Sequence, residues 1–445
     1  MPDRPNILYI FTDQQSHDAM SCAGNEWLRT PAMDSLAETG VRFANAYCTY
    51  PLCTPARASM WTGRWPHEVG IFGNNVAIDE AYREAELGPL LSARGYRCAY
   101  GGKWHIPEIA LPDGHGFERI CGFDDVLLPD KCAEFLLADH DRPWFLVASF
   151  DNPHNICEWG RSTPLPWGEI GDPPRPEDCP PLPANHPAAP YEALAVRHHR
   201  RRYRDEWGLI ADYTPDEWRR LRWAYFRLAE KVDAQIGRIL EALRGSRYAD
   251  NTLVIFSSDH GDQNAAHLLS HKFTLYDESA RIPFLFSGAG VTRRGDTDEH
   301  LVSNGADLFL TICDFAGVEP PKGILGHSLR PLLEGRQVAA PHEYVVCEAK
   351  MEVFVNGCQA RMVRSRRYKY MAYDKGRPRE ELYDLERDPG EMSNLAVSSR
   401  YADVLRQHRE YLRQWCRATN DDFGGHHYAQ PQRQFILPGD GYYDE

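Results

Sequence analysis

Three runs in this chain are apolar almost without interruption: residues 6–12 (NILYIFT), 144–150 (WFLVASF) and 253–258 (LVIFSS). A strand with one wet face alternates apolar and polar residues, so continuous runs of this kind belong to strands buried on both faces, as in a parallel sheet covered by helices. The segments between them supply the helices. Residues 30–39 open with Thr-Pro, 87–94 carry apolar residues at helical spacing, and 218–243 form a long amphipathic pattern. The expected fold is α/β: a large mixed, mostly parallel sheet sandwiched by helices, with crossover connections.

A Pro- and Gly-rich connector at 320–342 changes the pattern. Beyond it the strand-like pieces EYVVCEA, VFVNG, ARMVRS and YKYMAY precede a turn-rich segment, ELYDLERDPGEMSN, and a helix over 399–417. This predicts a main domain over 1–340 and a smaller C-terminal subdomain over 341–445, built of antiparallel sheet plus helix and ending in an extended tail. Residues 151–216 are rich in Pro, His, Trp and Arg and carry little periodicity. Such a stretch reads equally as the cover of a site or as a solvated excursion.

Composition excludes several classes. Lys and Arg number 50 against 64 Asp and Glu, a net charge of −14, which leaves no basic field to hold a nucleic acid backbone. The first apolar run stops at Asp13, too short for a leader or a spanning helix of about 20 residues, so a cytoplasmic protein with no membrane association is expected. The twelve cysteines form no CxxC pair and no zinc-type cluster, which predicts reduced, buried thiols. Assembly into a homo-oligomer is compatible with all of this.

The chemistry starts at strand ends, because ligands of an open parallel sheet collect outside the carboxyl ends of its strands. The first run leads into Asp13-Gln14 and the third into Asp259-His260-Gly261-Asp262. A lone Asp there is usually a cap or turn residue. Two strands that each end in an acid plus a second ligand type point to a hard-cation site. In Cys53-Thr54-Pro55-Ala56-Arg57, Pro55 suits the first turn of a helix, which puts Cys53 at the N-terminus, where partial positive charge stabilises an anion or thiolate. Arg57 lies one turn on, on the same face. A capped helix with a buried thiol would have the same local pattern.

These residues resemble the C-x-P-x-R signature of type I sulfatases in the alkaline phosphatase superfamily. The resemblance spans nearly the whole chain, in family order: PNILYIFTDQQ, Gly102-Lys103-Trp104-His105, Asn152-Pro153-His154, Ser258-Asp259-His260-Gly261-Asp262, Ser270-His271-Lys272, Gly326-His327-Ser328-Leu329, and YKYMAY followed by ELYDLERDPGEMSN. It implies that 1–340 is the catalytic domain of a sulfuric ester hydrolase. It further implies that a formylglycine-generating maturase oxidises Cys53 to formylglycine, whose hydrated aldehyde is the nucleophile. Asp13, Asp259 and His260, with Gln14 as a weaker candidate, would hold a divalent metal. Arg57, Lys103 and His105 would orient the diol. His154 and Lys272 would bind the transferring group and protonate the leaving oxygen, and Asn74 would contact the sulfuryl group.

The chain departs from the commonest family pattern in carrying Asp13-Gln14 and Asp259-His260, a variant that resembles the branch with choline sulfatases, some bacterial arylsulfatases and phosphonate monoester hydrolases. Calcium is the family default, and an imidazole ligand makes manganese the alternative. Three readings follow: a sulfatase, a phosphonate monoester or phosphodiester hydrolase, and a catalytically silent binding protein. Lys103 and His105 favour the first, and the complete set from Cys53 to Lys272 opposes the third. The expected substrate is a carbohydrate sulfate, with aryl or alkyl sulfates next. Arg161, His198, His199 and Arg200 to Arg202 are candidates for reading an anionic sugar, although an exposed basic run is more often just solvated.

Overall fold

The computed structural model describes residues 4–108, 111, 114–207, 212–351 and 357–423. Strands among these residues are β1 (Asn6–Asp13), β2 (Gly40–Tyr47), β3 (Arg97–Gly102), β4 (Glu118–Arg119), β5 (Trp144–Pro153), β6 (Thr252–Ser258), β7 (Phe284–Gly288), β8 (Asp296–Ser303), β9 (Tyr344–Met351), β10 (Cys358–Ser365), β11 (Tyr368–Tyr373) and β12 (Glu380–Asp384). The first eight form one sheet in the order β4-β3-β5-β1-β6-β7-β2-β8, in which β7 alone runs antiparallel to its neighbours. The last four form an antiparallel sheet in the order β12-β11-β10-β9.

The three uninterrupted runs are the adjacent strands β5, β1 and β6, all parallel, with Tyr9 opposite Val147 on one side and Ile255 on the other. Their residues divide between two cores. Ile7, Tyr9, Phe11, Val147 and Ile255 pack with Ala58, Met60, Trp61, Leu87 and Leu91 from the helices Cys53–Thr62 and Leu87–Ala93. Leu8, Ile10, Leu146, Val254 and Phe256 pack with Leu128, Phe135, Val232 and Ile236 from the helices Leu128–Leu137 and Pro215–Gly245. A large apolar side chain buried in this way contributes about 1.5–3 kcal/mol. The centre of the sheet is therefore held by apolar packing on both faces.

The helix Pro215–Gly245 starts at a capping box. Thr214 Oγ1 accepts from the Glu217 backbone N–H at 3.3 Å, and Glu217 Oε2 accepts from that of Thr214 at 2.6 Å. In the small sheet Val346, Val363, Tyr370 and Leu382 pack on Leu412 and Trp415 of the helix Ala402–Thr419, while Cys347, Ala360, Met362 and Met371 merge into the main core. His67, just beyond the helix Cys53–Thr62, joins the two parts. Its Nδ1 lies 2.6 Å from Glu348 Oε1 and its Nε2 3.1 Å from the Thr419 carbonyl.

Segment 151–216 is less irregular than its composition implies, since it holds the helices Ile156–Gly160 and Leu194–Trp207. Charged residues make up half of the second helix and mask its period, yet Ala195, Val196, His198 and His199 are buried. Arg200 pairs with Glu192, Nη1 to Oε1 at 2.8 Å, so the basic run is partly neutralised within the fold rather than simply solvated. The start of the turn-rich segment is strand β12, where Leu382 and Tyr383 are buried on opposite faces. Most of VFVNG and the tail beyond 423 lie outside the described residues. All twelve cysteines are free thiols, and eleven are buried. Among the described residues no helix is long and apolar enough to cross a membrane.

Candidate active site

Strands β3, β5, β1 and β6 stand side by side and end at one rim. They deliver Lys103, the 151–154 turn, Asp13 and Asp259-His260 respectively. Gly102 shapes the exit of β3: its φ is +93°, and a Cβ there would lie 1.9 Å from the Ser149 carbonyl oxygen, so only glycine fits. The helix Cys53–Thr62 points its N-terminus at the rim, with all ten of its residues buried. Thr54 holds that end, its N–H donating to Asn74 Oδ1 at 3.1 Å and its hydroxyl to the His105 carbonyl at 2.6 Å.

Arg57 organises the acids. Its Nη2 donates to Asp13 Oδ2 at 2.9 Å and its Nε to Asp259 Oδ2 at 2.8 Å, while Nη1 donates to the Lys103 carbonyl at 2.6 Å and to Ser149 Oγ at 3.1 Å. This bridge lets two buried carboxylates lie close together. It also leaves Oδ1 of each facing inward, 3.7 and 3.6 Å from His260 Nε2. His260 Nδ1 is engaged by the Gly261 carbonyl at 2.9 Å, which aims Nε2 at the same space. Asp13, Cys53, Asp259 and His260 each offer a donor atom there, all within 4.8 Å of one another. Two carboxylates and an imidazole, each tied back through its other polar atom, are a donor set that fits a divalent cation.

The charges around this centre are balanced at close range. Burial works against ionisation of Asp13, but Lys103, His154, Lys272 and Arg57 outweigh it and hold the carboxyl well below its usual range. Asp259, buried and beside the Asp13 charge, is pushed up to about 6. Burial opposes charge on His260, yet Asp259 raises it to about 9, so a bound cation would displace a proton there. Burial and Asp13 raise the Cys53 thiol, but Lys272, Lys103 and His260 overcome both and set it well below an ordinary thiol. Lys272 Nζ is 3.2 Å and His260 Nε2 3.3 Å from Cys53 Sγ.

The remaining candidates are distributed unevenly. Gln14 Oε1 accepts from Lys272 Nζ at 2.7 Å and its Nε2 donates to Asp262 Oδ2 at 2.6 Å, so this amide links a cation to a further acid. The His154 side chain is 23% exposed, and burial and the charge of Lys103 keep its pKa low. His105 Nδ1 is buried with no hydrogen-bond partner. Gln14, His105 and His271 all adopt left-handed backbone conformations, φ 69°, 63° and 64°, a strain that gathers at functional sites. Arg161 lies in segment 151–216, its Nη1 3.8 Å from Glu158 Oε1. The sequence reading assigned no part to Asp151, Asp125 or Ser149, and it placed Asp262 only at the end of the third run, in Asp259-His260-Gly261-Asp262. Of the first three, Asp151 had a signal, its position directly before Asn152-Pro153-His154.

Comparison with known proteins agrees with this architecture. The sulfatase family model matches residues 5–318, and a second model, N-sulphoglucosamine sulphohydrolase, C-terminal, matches residues 266–418. The chain belongs to the sulfatase family. It is 31% identical over 448 residues to the Delta 4,5-hexuronate-2-O-sulfatase of Bacteroides thetaiotaomicron, covering 95% of this chain and 90% of that protein. The solved structure of a 2-O GAG sulfatase matches with a TM-score of 0.83 at 29% identity, over 95% of this sulfatase and 94% of that chain. The phosphonate monoester hydrolase of Agrobacterium radiobacter shares the fold, with a TM-score of 0.75 at 23% identity over 92% and 95% of the two chains.

Proposed function

We propose that this sulfatase removes sulfate from a sulfated saccharide, using Cys53 after a maturase has oxidised it to formylglycine. The observation that carries the reading is the single space shared by Cys53, Asp13, Asp259 and His260, with donor atoms within 4.8 Å. The hydrated aldehyde would offer one hydroxyl to attack sulfur and a second whose deprotonation releases sulfate. Asp13, Asp259 and His260 would hold the divalent cation, with Gln14 beside them. The cation would add Lewis-acid charge at the attacking and sulfuryl oxygens. We propose calcium, with manganese the competitor that the His260 imidazole favours.

The side chains of the protein divide the remaining work. Arg57 fixes the acids and lies one helical turn from Cys53. Lys103 and Lys272 bring positive charge against charge that develops on oxygen. His105 takes the proton that restores the aldehyde. His154, whose side chain is 23% exposed, and Lys272, where burial is outweighed by Cys53 and Asp13 and the pKa is raised, bind the transferring group and donate to the oxygen of the departing alcohol. Asn74, which holds the end of the Cys53 helix through Thr54, contacts the sulfuryl group. Residues 1–340 carry this machinery and 341–445 form the C-terminal subdomain. The names of relatives support the saccharide: one is a hexuronate-2-O-sulfatase and another a 2-O GAG sulfatase.

The phosphonate reading draws on the shared fold of the hydrolase from Agrobacterium radiobacter. Both readings are tested by kcat/KM on a matched p-nitrophenyl series, with sulfated mono- and disaccharides screened alongside. Sulfate esters should exceed matched phosphonates and phosphodiesters by at least about 10²-fold, since charged contacts at Lys103 and His105 are worth a few kcal/mol. A best phosphonate equal to the best sulfate would give the assignment to the second reading.

A further inference from the structure

Lys103 is held at two points. Its Nζ lies 2.8 Å from Asp13 Oδ2 and 2.9 Å from Asp151 Oδ1. An ammonium has three N–H bonds on a flexible four-carbon stem. With two of them committed to carboxylates on different strands, the direction of the third is fixed. With Asp13 as sole partner, the amine would be free to swing about that oxygen, which Arg57 also uses.

We propose that Asp151 is a positioning residue that acts through Lys103, and that Trp167, further along segment 151–216, holds Asp151 in place. The proposal rests on the reading of Lys103 as a charge against the reacting oxygens. Asp151 is 3% exposed and lies outside the cluster that could hold a metal ion. Its Oδ2 accepts from Asn155 Nδ2 at 2.7 Å and from Trp167 Nε1 at 3.0 Å, and its backbone N–H donates to Asp125 Oδ1 at 2.8 Å. The Trp167 ring stands edge-on to Phe123, with centroids 5.1 Å apart, and Lys103 Nζ lies 6.0 Å from that same Phe123 ring. Asn155 and Trp167 thus fix the carboxylate and Asp125 the backbone of one residue, whose Oδ1 has Lys103 at 2.9 Å and His154 Nδ1 at 3.9 Å. A buried ion pair is a poor source of stability compared with apolar packing. An orientation that must be kept gives this one a purpose.

The test is a double-mutant cycle on p-nitrophenyl sulfate, with enzyme at micromolar concentration so that losses of about 10⁴-fold stay measurable. Asp151→Asn should lower kcat at least about tenfold with KM within about threefold, and should cause no further loss in a Lys103→Ala background. Trp167→Phe keeps the ring against Phe123 and removes the donor. It should lower kcat by about threefold, and that loss should also vanish with Lys103→Ala. The metal content of both single variants should equal that of the parent. Additive losses, or a parental kcat in Asp151→Asn, would overturn the proposal alone. A Lys103→Ala enzyme of parental kcat would overturn the reading of Lys103 and the proposal with it. If Asp151→Asn does not fold, the Trp167→Phe cycle decides by itself.

Discussion

Replacing His67 with glutamine removes a link between the two sheets whose strength depends on pH. Burial alone would lower the imidazole pKa, but the hydrogen bond and charge of Glu348, with the Thr419 carbonyl on the other nitrogen, raise it from 6.5 to about 9. At about 1.4 kcal/mol per pH unit this corresponds to roughly 3 kcal/mol of stability. A folded pKa above the unfolded one means that the stabilisation is complete below about pH 6.5 and disappears as pH rises through 9. An unfolding entropy of about 2 cal/mol/K per residue turns 3 kcal/mol into a shift of about 3 °C for a chain of 445 residues. Calorimetric melting of the parent and His67→Gln should therefore show a gap of about 3 °C near pH 6 that closes to within about 1 °C near pH 10. A gap of the same size at both pH values would refute the reasoning.

Three further outcomes are expected. Mass spectrometry of the peptide containing Cys53 from active enzyme should show an aldehyde in place of the thiol, and Cys53→Ala should be inactive; full activity with an intact thiol contradicts the proposal. Asp259→Ala, which deletes one inward oxygen and one anchor of Arg57, should lose bound divalent metal while keeping its circular dichroism spectrum, as elemental analysis of the purified variant would reveal. Gly102→Ala forces a Cβ to 1.9 Å from the Ser149 carbonyl at a φ of +93° and should cost about 2–4 kcal/mol in denaturant unfolding, together with most of the activity.

Much of the fold was legible because burial on both faces leaves a one-line signature. The runs that became β5, β1 and β6 admit few other roles, and each leads to a residue at the rim. The short edge strand β4 and the strand β2 gave no such signal, since Arg42 and Asn45 interrupt the latter's apolar pattern. The helix Leu194–Trp207 was hidden because seven of its fourteen residues are charged and blur the apolar period. At the site, residues with a distinctive neighbourhood such as Cys53-Thr54-Pro55-Ala56-Arg57 could be read, but side-chain pairings could not. Nothing local in the sequence states that Arg57 would take one oxygen from each of two acids 246 residues apart, or that Gln14 would face Lys272. Those pairings depend on strand order, which places β1 between β5 and β6.

The burial of Cys53 has a bearing on timing. With no surface exposed in the finished fold, its sulfur can be reached by another enzyme only while the chain is still open. Lys272, which closes over that sulfur, lies 219 residues further along, an interval of roughly 10–40 s at ordinary rates of synthesis. Strands β5 and β6, which flank the Asp13 strand, are both made within that interval. The oxidation proposed for Cys53 would therefore compete with folding, and conditions that speed closure of the sheet would yield more protein with an unconverted thiol.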